Sequence, residues 1–336
     1  MTGNKSCFTV TVGSLVFPLL FFVLILPTVY KRAISPQPLL ILHRHLIETG
    51  TEPTAESFER YLHDPQYLIQ SILHGNMTCK VMLQLRSWSF ESHSLYPLHH
   101  IHIPKNGGGT LVTLFKTRTP KGKRFCNLCK TGTKCKPQVP PNKEVADLFR
   151  GCNIISTHTP LGYPEAWGSI NKDLTRMTVL RDPVSQARSL YDYGRKANLN
   201  KKFKKFSFSE MVQKTVNGSE DGFKQNNNQV RYICGFQCPE DDIQKALQIA
   251  TMNLVTQVRY VGVLESIDSF HQRVHFDYSW FPGTAPKAKA HKIAAAAKTV
   301  VSESDDTILR KIREPDGMLH KVATFISSCE ASIQLH

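Results

Sequence analysis

Apolar strand-like runs alternate with helical patterns in this chain, a glycine-rich turn joins one such strand to a helix, and a charge-free apolar run lies near the N-terminus. Together these predict an α/β protein: a P-loop-like parallel sheet flanked by helices, preceded by an N-terminal transmembrane helix. The expected organisation is a tail (1–7), a membrane span (8–30), a stem (31–95) and a main domain (96–336) with a Cys-rich insertion at 117–143.

The span comes first. Phe8 to Tyr30 has no charged side chain and is rich in Phe, Leu and Val. As a helix rising ~1.5 Å per residue it reaches about 34 Å, enough to cross a bilayer. Pro18 and Pro27 are tolerated in membrane helices. A cleaved signal peptide is the competing reading, but its apolar core is shorter, and no small-x-small cleavage site follows before Lys31. The flanking charges, Lys5 before and Lys31 and Arg32 after, do not settle the orientation.

Composition adds a compartment. The 336 residues carry a net charge of +15 and are 41% hydrophobic, so a cored domain with a polyanionic partner is expected. That charge alone suits nucleic acid, an anionic lipid surface or an acidic polysaccharide equally. Of nine cysteines only Cys7 precedes the span, and the even remainder suits disulfides in an oxidising lumen. Sequons at Asn76 and Asn217 fit glycosylation there. These features favour a single-pass protein whose C-terminal bulk is luminal.

Further along, a helix is expected near Ala55 to Leu73, and LHHIHIP, from Leu98, reads as the first strand. A helix follows from Thr110 to Lys116. The insertion, with Pro137, Pro140 and Pro141, reads as irregular. Its CNLCKTGTKC segment could be half of a zinc site; no second CxxC completes it, and disulfides are preferred. Strands are expected at Asn153 to Ser156, Met177 to Leu180 and Arg259 to Val263. Helices are expected at Val184 to Ala197, Phe208 to Lys214, Asp241 to Met252, Ile267 to Val274 and Ser304 to Ile326, the last interrupted near Pro315 and Gly317. The basic, Ala-rich stretch Thr284 to Lys298 is either a helix after a loop or filler.

Two of the strand ends carry anion-binding chemistry. After the first strand, Lys105 precedes Gly107, Gly108, Gly109 and Thr110 at a helix start. Glycines let the backbone approach an anion, and the N–H groups of a first helical turn point at it. No Walker or dinucleotide fingerprint occurs, and a Gly-rich surface loop is the plain alternative. In LRDPVSQARSLYDYGR, Arg181 leaves a strand and Ser189 lies two turns into the next helix, where both could reach one phosphate. An Arg–Asp surface pair beside a helix cap is the alternative there. Two such sites on neighbouring strand ends suggest a ligand phosphorylated at both ends.

In four blocks the chain resembles the membrane-anchored Golgi carbohydrate sulfotransferases, especially heparan sulfate 2-O- and 6-O-sulfotransferases and their uronyl relatives. HIPKNGGGT is similar to their 5′-phosphosulfate loop, LRDPVSQARSLYDYG to their 3′-phosphate segment, NNNQVRYICG to their N-x-Q-x-R block and YVGVLESIDSF to their late strand-to-helix step. The resemblance implies the donor 3′-phosphoadenosine-5′-phosphosulfate, a glycan acceptor, no metal, and type II placement in the Golgi membrane with the catalytic domain in the lumen. It implies that Lys105 stabilises the leaving phosphate, that the backbone from Asn106 to Thr110 with the Thr110 hydroxyl cradles the 5′-phosphate, and that Arg181 and Ser189 bind the 3′-phosphate. It places the catalytic base at His158, in STHTPLGY, with His99, His100 and His102 as alternatives. An imidazole suits that task because it titrates near neutrality. Asn106 stands where the family carries Thr, and Gly109 where it carries its next Thr, so the contact at 109 falls to the backbone.

The basic residues Arg118, Lys121, Lys123, Arg124, Lys201, Lys202, Lys204, Lys205 and the Lys287 to Lys292 segment could line a groove for an acidic acceptor. Each could equally be a solvated surface charge. Two other readings compete: a non-catalytic protein of the same fold that binds anionic glycan, and a zinc-ribbon nucleic-acid binder. The retained Lys105, Arg181 and Ser189 argue against the first, and the anchor and incomplete ligand set against the second.

Overall fold

The computed structural model of the chain describes residues 55–90, 95, 97–128, 151–162, 174–196, 201–223, 226–286 and 299–333. At its centre is a five-stranded, wholly parallel sheet in the order β2-β3-β1-β4-β5. The strands are β1 (Leu98–Ile101), β2 (Phe125–Leu128), β3 (Ile154–Thr157), β4 (Thr175–Leu180) and β5 (Tyr260–Val263). Leu98 pairs with Ile154 on one side and Thr175 on the other, so β1 is central. The chain steps from β1 to one edge, returns through β3, and crosses to β4. The switch of direction therefore falls at β1, where open α/β sheets bind ligands beyond their strand ends.

Every residue of β1, β3, β4 and β5 is buried, as expected of parallel strands covered on both faces. Alternate residues serve opposite layers. Met177, Val179 and Tyr260 pack with Leu111, Leu114 and Phe115 of α4 (Gly108–Arg118) and with Phe270 and Val274 of α10 (Ile267–Asp277). Leu180, Val261 and Val263 face the opposite layer, built from α8 (Asn228–Cys234), α9 (Ile243–Thr256) and α12 (Glu314–Ile333). A third cluster joins α5 (Pro183–Lys196), α6 (Lys202–Lys205), α7 (Phe208–Val216) and α11 (Glu303–Ile312) through Tyr191, Phe208, Met211 and Leu309.

The segment expected as stem contributes to this core. Helices α1 (Ala55–His63), α2 (Pro65–Leu73) and α3 (Cys79–Phe90) place Leu68, Ile69, Met82 and Leu85 in the same apolar cluster as α9 and α12. The helix expected over Ala55 to Leu73 is two helices because Pro65 follows Asp64, whose carboxylate caps α2 by accepting from the Tyr67 amide. The compact unit runs from Pro53 to His336, so the body of the protein begins well before Leu98. The Cys79–Cys329 disulfide ties α3 to α12 across 250 residues of chain.

Three further differences have local causes. Phe125–Leu128, within the stretch expected to be irregular, is a strand because it pairs with β3, and Cys126 is bridged to Cys152 just before that strand. Asn228–Cys234 is a helix launched from Asn227, which adopts the left-handed region at φ 53° that Asn tolerates. The C-terminal helix breaks at Arg313, not at Gly317, with Pro315 in the first turn of the new helix. A third disulfide joins Cys234 to Cys238. Both sequon asparagines, Asn76 and Asn217, are exposed. Among the described residues no helix is long and apolar enough to cross a membrane; Phe8 to Tyr30, Cys129, Cys135 and Lys287 to Lys292 lie outside them.

Candidate anion-binding site at the carboxyl ends of β1, β3 and β4

The residues singled out in the sequence leave three adjacent strands at the same edge of the sheet. Lys105 follows β1, His158 follows β3 and Arg181 follows β4 directly. Lys105 sits in the left-handed region at φ 69°, which for a lysine is strained and turns the chain sharply into α4. Gly107, at φ 83°, is the N-cap of that helix.

The three glycines serve different ends. A Cβ at Gly108 would lie 2.0 Å from the His102 ring, so packing demands glycine there, while Gly107, where a Cβ would lie 2.8 Å from the tip of Leu264, is favoured chiefly by its φ of 83°. A Cβ at Gly109 would meet nothing within 4 Å, so this glycine faces open space at the helix mouth. The cradle expected from Asn106 to Thr110 is narrower than the sequence suggests. The Asn106 amide donates to the Ile103 carbonyl and the Thr110 amide to the Gly107 carbonyl. The amides of Gly107, Gly108 and Gly109 find no backbone acceptor among the described residues.

Arg181 and Lys105 share one mouth. Arg181 Nη1 donates to the Lys105 carbonyl oxygen at 3.0 Å. The Lys105 ammonium lies 3.8 Å from the centroid of the Tyr193 ring, a cation–π contact. Ser189 is one helical turn before Tyr193 on α5, so its side chain shares the face turned toward the lysine. Among the described residues neither Lys105 nor Arg181 is salt-bridged, and Arg181 Nε is buried without a hydrogen-bond partner. Burial, then the nearby Arg181, pushes the Lys105 ammonium down to about 8, while Asp192 pulls the other way. Burial also lowers Arg181, with Glu265 opposing it. Two desolvated cations at one opening, neither salt-bridged among the described residues, make a site that an anion would stabilise.

The histidines form a second group beside this mouth. His158 lies tilted against His102 with ring centroids 3.8 Å apart, and His102 stacks on His100 at 5.3 Å. His99 and His100 are fully buried and hydrogen-bonded to Thr157 and Ser156 of β3. That leaves His158 and His102 as the half-buried rings at the edge. Burial lowers the His158 pKa from its ordinary value, and the His102 carbonyl, as an acceptor for the ring, partly offsets this. Its Nδ1 is buried without a partner, so a neutral ring with an unengaged nitrogen stands at the sheet edge. The Tyr232 hydroxyl donates to the His158 carbonyl at 3.2 Å and fixes the strand exit.

Burial pushes His99 and His100 down to about 3 and His102 down to about 2. An unfolded histidine titrates near 6.5. The stability these neutral rings carry is therefore complete above pH 6.5 and is lost progressively as pH falls from there toward about 3. Thermal melts are expected to show a midpoint falling through this window, and His100→Asn, which keeps a polar partner for Ser156, is expected to flatten the dependence.

Residues not singled out by type also build the site: Gln186, Gln229 and Tyr193. Tyr193 could have been found from its helical spacing to Ser189. Gln229 lay in a block noted above without a role, and nothing in its polarity signals complete burial. Among the described residues no cluster of His, Cys, Asp or Glu could hold a metal ion. No family model matches the chain, and no curated protein matches it.

Proposed function

We propose that this chain transfers a sulfuryl group from 3′-phosphoadenosine-5′-phosphosulfate to a hydroxyl of a glycan, probed first among glycosaminoglycan-like polysaccharides, and that it belongs with the membrane-anchored Golgi carbohydrate sulfotransferases. The observation that carries the reading is the shared mouth of Lys105 and Arg181, where the Arg181 guanidinium donates to the Lys105 carbonyl at 3.0 Å and neither cation is salt-bridged among the described residues. An orphaned Arg181 Nε, open space at Gly109 and the unengaged amides of Gly107 to Gly109 fit a ligand with phosphates at both ends. The three disulfides among the described residues and the exposed Asn76 and Asn217 support a luminal domain of a type II Golgi membrane protein.

In this reading the glycine loop holds the 5′-phosphate, and Arg181 with Ser189 holds the 3′-phosphate. His158 accepts the proton of the acceptor hydroxyl as that oxygen bonds to sulfur. The sulfur–oxygen bond to the 5′-phosphate breaks, its electron pair stays on the phosphate, and Lys105 stabilises the charge that builds there. Lysine, arginine and histidine supply this chemistry without a metal. The net charge of +15 would favour an acidic acceptor, with nucleic acid set aside by the luminal placement.

The test is a radiolabelled-donor assay against heparan, chondroitin, dermatan and neutral glycans. Lys105→Ala is expected to abolish donor binding and transfer together. In the unaltered protein, donor affinity is expected to be fully present below about pH 8 and to weaken above it, as the Lys105 ammonium loses its proton. Donor binding without transfer to any acceptor would return the non-catalytic alternative; absence of donor binding would end both readings.

A further inference from the structure

We infer that Gln229 and Asn106 are positioning residues that fix the separation of the two phosphate pockets, so that the site selects ligands anionic at both ends. The inference rests on the donor-site reading above and goes beyond it, because neither side chain is assigned contact with the donor.

Both side chains are buried, at 0% and 1% exposure, yet both are primary amides, which makes their hydrogen bonds obligatory. Gln229 Oε1 accepts from the Arg181 amide at 2.9 Å and from Asn106 Nδ2 at 2.8 Å, and Gln229 Nε2 donates to the Arg181 carbonyl at 2.8 Å. One amide thus grips both backbone groups of Arg181 and the side chain of the residue after Lys105. Asn106 Nδ2 also donates to the Val179 carbonyl at 3.0 Å, and Asn106 Oδ1 accepts from Gln186 Nε2 at 2.9 Å. Gln186 Nε2 reaches the Pro104 carbonyl at 3.1 Å. The loop after β1 and the exit of β4 are therefore joined through side chains.

The grip is held by rigid elements. The α8 helix that carries Gln229 is fixed at its start by Asp316, which accepts from the Val230 amide at 2.9 Å. It is fixed at its end by Asn253 Nδ2, which donates to the carbonyls of Ile233 and Cys234. Displacement of a binding group by about 1 Å can cost on the order of 10²-fold in function, so the lock determines whether one molecule can reach Lys105 and Arg181 together.

The experiment measures binding of adenosine 3′,5′-bisphosphate and adenosine 5′-phosphate by calorimetry to the full-length protein and to Gln229→Met. The variant is expected to lose roughly 10- to 100-fold affinity for the bisphosphate while its affinity for the monophosphate changes less than about twofold. Equal losses for both ligands, or no loss, would overturn the positioning role while leaving the donor reading intact. An unaltered protein that prefers neither ligand would overturn the donor reading and this inference with it. If Gln229→Met does not fold, Asn106→Ala cuts the same contact from the loop side and is held to the same outcomes.

Discussion

His158→Ala is expected to lower sulfate transfer by roughly 10²- to 10⁴-fold, the range for removing a general base, with donor binding retained. The ring is half-buried, tilted against His102 at 3.8 Å, and kept neutral by burial, so it can accept a proton at the pH where the enzyme would work. It is separate from the cation pair, which is why binding should survive its loss. Because burial lowers the His158 pKa, activity of the unaltered protein should be full at neutral pH and decline only as pH falls through a value below 6.5. Calorimetry of the donor paired with a turnover assay checks both halves. Near-normal turnover in the variant would remove His158 from the mechanism; loss of donor binding along with turnover would make its role structural.

Glu330→Gln should be the most destabilising single change of comparable size, costing about 3–5 kcal/mol, as for breaking a buried ion pair. One carboxylate on α12 serves two buried guanidiniums. Arg86 Nε donates to Glu330 Oε1 at 2.5 Å, and Arg273 Nη1 pairs with Glu330 Oε2. Arg86 spends its remaining donors on the carbonyls of Leu254, Val255, Val258 and Arg259, where α9 ends and β5 begins. Arg273 reaches the carbonyl of Val261 on β5 and the hydroxyl of Ser327 on α12. Burial, with repulsion from Arg259 at Arg86 and from Arg86 at Arg273, pushes both guanidiniums down to about 9, so each depends on that carboxylate to remain charged at low cost. Glutamine keeps the shape and removes the charge, leaving two cations facing a neutral amide. Denaturant melts should show a lower midpoint at unchanged slope. A loss under about 1 kcal/mol would mean that water enters the cluster and screens it.

The sheet was largely legible because β1, β3, β4 and β5 are short apolar runs closed by turn signals, and because their edges carry chemistry in recognisable order. Lys105 and Arg181 were legible as a pair for the same reason. What escaped the sequence was whatever depends on a distant partner. Strand β2 is four residues in a basic, Cys-rich stretch, and it exists through pairing with β3. Helix α3 hides its inward face because one of its four buried residues is Arg86, a charge whose partner lies 244 residues away. Gln229 and Asn106 look like surface residues by type, and only the meeting of β1 with β4 buries them. The glycine run showed the converse. Its residues read alike, yet Gly107 answers to its positive φ and Gly108 to His102, and Gly109 alone opens outward.

The Cys79–Cys329 bridge has a consequence for where the chain can be truncated. Closing so long a loop contributes on the order of 5 kcal/mol by limiting the unfolded chain, and it does so through a helix upstream of the first strand. A protease that cut between Phe90 and Leu98 would separate two pieces still linked by sulfur, whereas reduction would then release the N-terminal helices and bare the flank of α9 and α12. A truncated form that keeps this layer of the fold must therefore begin ahead of Ala55.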